Sequence, residues 1–234
     1  MDELNAGRRS WLKTATALAA TGLASGRGCA QTGGLSGTAG GLPGRGEYLI
    51  RGATILSMDA KVGDFVRGDV LVRDGAIVGV ARDIAAPSAT VIDAGGMICM
   101  PGFVDTHWHL WTSVLRPVIR IDNPKSGYQP VTNRLGRFYT PEDSYRSVKL
   151  GLAEGLSAGA TTVHNWAHNI RSPAHADAEL RAMRDVGLRG RLAYGTPMGY
   201  PDEQPMDLEG LAQIKRQWMP NDGMLTLGIS SRNV

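Results

Sequence analysis

Between residues 47 and 100 the chain reads as short strand-like runs of period two, and beyond residue 101 strand-like runs alternate with stretches that carry apolar side chains at every third or fourth position. Tyr48-Leu49-Ile50 leads into Ala53-Thr54-Ile55-Leu56, which predicts a strand ending near Asp59. Asp69-Val70-Leu71-Val72-Arg73 and Ala76-Ile77-Val78-Gly79-Val80 flank Asp74-Gly75. Asp-Gly between two β-rich runs predicts a tight hairpin, because both turn positions want a positive φ. Val91-Ile92-Asp93 and Met97-Ile98-Cys99-Met100 add two short strands around Gly95-Gly96. Residues 47–100 are therefore expected to form a small β-sandwich module.

After Pro101-Gly102 the pattern becomes strand, then helix, repeated. Phe103-Val104-Asp105 predicts a short buried strand, and the following stretch, broken by Pro117, Pro124, Gly127, Pro130 and Gly136, predicts an extended loop. Thr140-Pro141-Glu142-Asp143 opens a helix with a cap, a proline in the first turn and acids at the positive end of the dipole. Tyr145, Val148, Leu152 and Leu156 fall on its inward face. Ala160-Thr161-Thr162-Val163-His164 predicts the second strand. Ser172-Pro173 starts a second helix, with Ala176, Leu180 and Met183 inward and Gly187 closing it. Residues 188–194 predict a third strand and residues 207–218 a third helix, with Leu208, Leu211, Ile214 and Trp218 inward. Leu225-Thr226-Leu227-Gly228-Ile229 is a fourth strand. Alternating strands and helices imply parallel β/α units. Four such strands are half of what a closed eightfold barrel of ~250 residues needs.

Composition narrows the class without deciding it. Of 234 residues, 42% are hydrophobic and 20% charged, as in ordinary globular domains, and the net charge is +3. No lysine-rich run with interleaved aromatics is present, which argues against nucleic-acid binding. Arg8-Arg9-Ser10-Trp11-Leu12-Lys13, followed by an uncharged Ala-, Leu- and Thr-rich stretch, is similar to a twin-arginine export signal over residues 1–30. That stretch is shorter than the ~20 apolar residues of a permanent span. The expectation is delivery to the periplasm by the twin-arginine machinery. Cys29 as a lipoprotein anchor fits less well, since Gly26 and Arg27 poorly match a small-apolar box. Residues 31–46, rich in Gly, Ser, Thr, Leu, Pro and Arg, read as a flexible linker. Cys29 and Cys99 make no disulfide framework, and Cys99 reads as a buried strand residue.

The chemistry lies in Pro101-Gly102-Phe103-Val104-Asp105-Thr106-His107-Trp108-His109. In an extended segment residues i and i+2 point to one side, so His107 and His109 can reach one ion at the mouth of a parallel strand. Neutral imidazole suits zinc and iron. A β module, this Pro-Gly-hydrophobic-Val-Asp-x-His-x-His stretch and repeating β/α units together resemble the amidohydrolase superfamily, in its cytosine-deaminase and chlorohydrolase-like branch. Gly159-Ala160-Thr161-Thr162-Val163 and His168-Asn169 with the run Ser172-Pro173-Ala174-His175-Ala176-Asp177-Ala178 carry the same resemblance.

The resemblance implies an α/β fold in which residues 101–234 are the first four units of a metal-dependent (β/α)8 barrel. It implies hydrolysis of carbon–nitrogen bonds, or loss of a related leaving group, by metal-activated water acting on a small molecule such as a heteroaromatic amine. His107 and His109 would hold one divalent ion, zinc or iron. The family's remaining ligands and proton-transfer residue follow later strands that these 234 residues do not include. The expectations are accordingly a weakly held ion, no assignable catalytic residue, and a need for a complementing chain or oligomer. The competing readings are an inactive fragment and a periplasmic metal- or ligand-binding module. His164 at the end of the second strand either touches substrate or packs beside Trp166. His168, in the next loop, and Trp111 are candidate substrate contacts, with core packing the alternative for Trp111. His175, in the first turn of a helix, reads as a surface residue.

Overall fold

The computed structural model describes residues 45–201, 203–219 and 223–231. The leader and nearly all of the linker expected from the sequence therefore lie outside the described residues.

The first layer is a five-stranded sheet of β1 (Glu47–Ile55), β2 (Phe65–Arg73), β3 (Ala76–Ala81), β4 (Thr90–Asp93) and β5 (Ile98–Cys99), in the order β3-β2-β1-β4. β2 pairs antiparallel with both β1 and β3. β4 and β5 lie parallel to successive stretches of β1, so the expected sandwich is here a single sheet. Asp74 and Gly75 close the β2–β3 hairpin with φ of 53° and 82°, the pair of positive values that the sequence demanded. Buried Asp69 of β2 ties β1 to the loop after β3, accepting from the backbone N–H groups of Gly52 at 2.9 Å and Ile84 at 3.1 Å.

The second sheet is wholly parallel: β6 (Phe103–Trp108), β7 (Ala160–Ala167), β8 (Arg189–Gly195) and β9 (Leu225–Ser230), in chain order. The predicted loop after His109 instead contains a 3-10 helix, Leu110–Val118, and a short α-helix, α1 (Tyr128–Leu135). Three further helices cover the sheet: α2 (Pro141–Ser157), α3 (Pro173–Val186) and α4 (Leu208–Trp218). The Thr140 side chain accepts from the Asp143 N–H while the Asp143 carboxylate accepts from the Thr140 N–H, a full capping box at the head of α2. Gly187 ends α3 in the left-handed conformation, φ 80°. Asp207 caps α4 by accepting from the Gly210 N–H.

Val148 and Leu152 of α2, Leu180 and Met183 of α3 and Ile214 of α4 are buried against Val163, Leu192 and Tyr194 of the sheet. Each such side chain contributes about 1.5–3 kcal/mol by leaving water. Leu156, expected on this face, is exposed. It lies in the last turn of α2, which Gly155 brings against Trp108 instead. The Pro-Gly ahead of β6 has a steric cause: a Cβ at Gly102 would overlap the side chain of Thr161.

Candidate metal centre

Alternation along β7 separates two faces. Val163, Asn165 and Ala167 are buried, while Thr162, His164 and Trp166 are only partly so. Val163 and Ala167 join the core under the helices. The other face carries the chemistry.

His107 is the penultimate residue of β6 and His109 follows the strand directly, at the C-terminal edge of the parallel sheet where α/β folds place their sites. Their Nε2 atoms lie 3.1 Å apart. The Nδ1–H of His109 donates to the Trp166 carbonyl oxygen at 3.2 Å, which leaves the lone pair on Nε2. An ion held by both nitrogens at the ~2.0–2.1 Å of zinc–imidazole bonds would see them at roughly 95–102°, between octahedral and tetrahedral values. Burial holds His109 below the usual histidine pKa, partly offset by its bond to Trp166 and reinforced by nearby His107. That favours the neutral, ligating form. The donor set therefore fits a divalent ion. Among the described residues no group of three or more His, Cys, Asp or Glu is placed to hold a metal.

Aromatic rings surround the pair. Trp166 stacks on His107, with centroids 4.5 Å apart and planes at 16°. His168 meets His109 edge-on at 4.2 Å, and its Nε2 lies 3.3 Å from the Tyr128 hydroxyl. Burial pushes the Tyr128 hydroxyl up to about 12. His164 stacks against Trp166 at 5.4 Å and shares a surface depression with Asp105 and Arg191.

Of the side chains singled out from sequence, the fold brings together His107, His109, His164 and His168. Trp111 does not line this space: its indole is fully buried with Leu115, Val131 and Met198, edge-on to Tyr139 and His168. It supports His168 from behind. His175 is not a surface residue either. It is 7% exposed, accepts at Nδ1 from the Ser172 hydroxyl at 2.9 Å and donates from Nε2 to the Tyr139 carbonyl at 3.0 Å. The segment before α2 folds back over it, which helix position alone cannot reveal. Sequence reasoning missed Tyr128, whose approach depends on long-range folding. It also undervalued Trp166, although strand alternation puts that ring on the same face as His164.

The sequence model of the amidohydrolase family matches residues 98–230. The chain belongs to the amidohydrolase family. Over 180 residues this amidohydrolase is 33% identical to the 5-methylthioadenosine/S-adenosylhomocysteine deaminase of Symbiobacterium thermophilum, covering 74% of this chain and 39% of that one. It is 28% identical to the 5'-deoxyadenosine deaminase of Methanosarcina mazei over 177 residues, with the same coverage, 74% and 39%. The chain thus spans about two fifths of the length of these curated relatives. In fold it is similar to the atrazine chlorohydrolase of Arthrobacter aurescens TC1 complexed with zinc, with TM-score 0.62 and 21% identity over 78% of this chain and 46% of that one. An adenosine deaminase from Xanthomonas campestris with bound zinc gives TM-score 0.58 and 20% identity over 80% and 43%. The fold class is therefore that of the amidohydrolase barrel, of which β6 to β9 form consecutive strands.

Proposed function

We propose that this chain carries the metal-binding opening of a hydrolase that removes an amino group from a heteroaromatic ring. The observation that carries the reading is the convergence of His107 and His109 Nε2 at 3.1 Å on the C-terminal edge of β6. The deaminases among the relatives support attack at a carbon–nitrogen bond of a purine-type substrate. His107 and His109 would hold the ion, zinc or iron. A bound divalent ion supplies a water acidified toward neutral pH and a Lewis acid for the ring.

The chain's own groups orient the ligands and offer contacts to substrate. The Trp166 carbonyl keeps the His109 lone pair facing inward. Tyr128, protonated across the physiological range, and His168 offer hydrogen bonds to a ring nitrogen or exocyclic amine. His164 lies further along the same face, as a flanking substrate contact. The site works on a small molecule rather than nucleic acid. No helix among the described residues is long and apolar enough to cross a membrane. We propose export through the Arg8-Arg9 leader, which cell fractionation of a chain with both arginines changed to lysine would test.

The decisive experiment loads the purified chain with Zn(II) or Fe(II) and measures bound metal together with ammonia release from adenosine-type nucleosides. Metal retention that disappears in His107→Ala and His109→Ala variants is expected. Undiminished retention in both variants would refute the assignment.

A further inference from the structure

Trp166 reaches both histidines by separate routes. Its carbonyl oxygen accepts from His109 Nδ1 at 3.2 Å and from the His168 backbone N–H at 3.0 Å. Its ring lies flat on His107. Its indole Nε1–H donates to the carbonyl of Thr106, the residue before His107, at 3.3 Å.

That last bond matters because of the strand register. β6 and β7 pair as Phe103↔Ala160, Val104↔Thr162 and Asp105↔Val163, and then the ladder is interrupted until Trp108↔Asn165. Thr106 and His107 thus lie in the irregular stretch, where regular pairing does not fix the backbone. The Trp166 side chain spans that stretch, giving the Thr106 carbonyl a donor and the His107 ring a flat surface. Trp166 itself is held from two sides. Its backbone pairs in register with Ala193, and its neighbour Asn165 is pinned to buried Glu179 on the opposite face.

We propose that Trp166 is the positioning residue of the metal centre, a clamp that fixes the ring of one ligand by stacking and the tautomer of the other by its carbonyl. This rests on His107 and His109 being ligands. It assigns to Trp166 a role exerted through the two histidines. Groups that orient metal ligands from behind typically change metal affinity 10–100-fold when removed.

The test is a Co(II) titration of the 234-residue chain after chelator dialysis, followed by cobalt absorption bands and tryptophan fluorescence. Trp166→Ala should weaken binding about 10–100-fold. Trp166→Phe keeps a ring over His107 but loses the Thr106 bond, so it should weaken binding less. Nitrogen-15 spectra of the imidazoles supply a readout that lost folding would not mimic. In Trp166→Ala the His109 tautomer should persist, since the backbone carbonyl remains, while the His107 ring signals should shift and broaden as its orientation loosens and buried His175 stay unchanged. Wild-type affinity and an unchanged His107 spectrum in Trp166→Ala would overturn the clamp alone. Wild-type protein that binds no cobalt, or binds it equally well after His107→Ala and His109→Ala, would overturn the metal reading and the clamp with it.

Discussion

Asn165 donates its side-chain amide to the carboxyl of Glu179 at 2.6 Å, joining β7 to α3 inside the core. Burial pushes the Glu179 pKa up to about 8, with the Asn165 bond pulling partly back, so the acid is neutral at pH 7. In the unfolded chain it ionises near 4.5. Its contribution to stability is therefore complete below that value and is lost as pH rises toward about 8. Urea unfolding at pH 5 and 8.5 should show a decline in wild type that Glu179→Gln reduces by a few kcal/mol, at about 1.4 kcal/mol for each tenfold change in proton affinity between the unfolded and folded chains. Equal declines would mean that Glu179 is ionised in the fold.

His175 works in the opposite sense. Burial holds its pKa below the usual 6.5 despite the bond to the Tyr139 carbonyl. Stability should fall as pH drops below 6.5, because the unfolded chain takes up a proton that the folded one resists. His175→Ala should cost about 1–3 kcal/mol at pH 7.5, by leaving the Tyr139 carbonyl and the Ser172 hydroxyl without this partner. It should also remove that acid-side decline. Thermal melts at pH 5.5 and 7.5 compare the two proteins.

Gly155 sets two effects against each other. Alanine inside a helix ordinarily gains about 0.5–1 kcal/mol over glycine. At position 155 its Cβ would lie 2.8 Å from the Trp108 ring, closer than real carbon contacts allow. Overpacking costs about 1–3 kcal/mol, so Gly155→Ala should be net destabilising. A raised melting temperature would show that Trp108 yields freely.

Asp69 offers a check on the β layer. Asp69→Ala strands the N–H groups of Gly52 and Ile84 and should cost about 1–3 kcal/mol. Asp69→Asn keeps one acceptor oxygen and should recover part of that loss. Denaturant midpoints of the three proteins rank them, and parity between wild type and the alanine variant would remove the role assigned to this carboxylate.

What could be read in advance was whatever local chemistry fixes. Asp74-Gly75 announced its hairpin and Thr140 with Asp143 its capped helix, and the His107–His109 spacing gave the convergence now seen as a 3.1 Å approach. What escaped depends on folding across distance. The 3-10 helix Leu110–Val118 contains Pro117 and lacks a helical face long enough to stand out. Tyr139 lies 36 residues before His175, so no local window reveals that its carbonyl covers that ring. Trp111 shows the same limit: indole next to a metal motif suggests a pocket wall, but Leu115, Val131 and Met198 enclose it.

The parallel sheet keeps the order of the chain, β6-β7-β8-β9. During synthesis each new strand therefore meets a neighbour that has already been made, and no strand waits for a later one to be inserted between them. Each addition closes a loop of one β/α unit, which keeps the entropic cost per step nearly constant. β6, which leads into the two histidines, is the first of the four strands to emerge from the ribosome, and Trp166 arrives with the second. The clamp and both of its histidines can therefore come together on the first pair of strands of the parallel sheet to be synthesised.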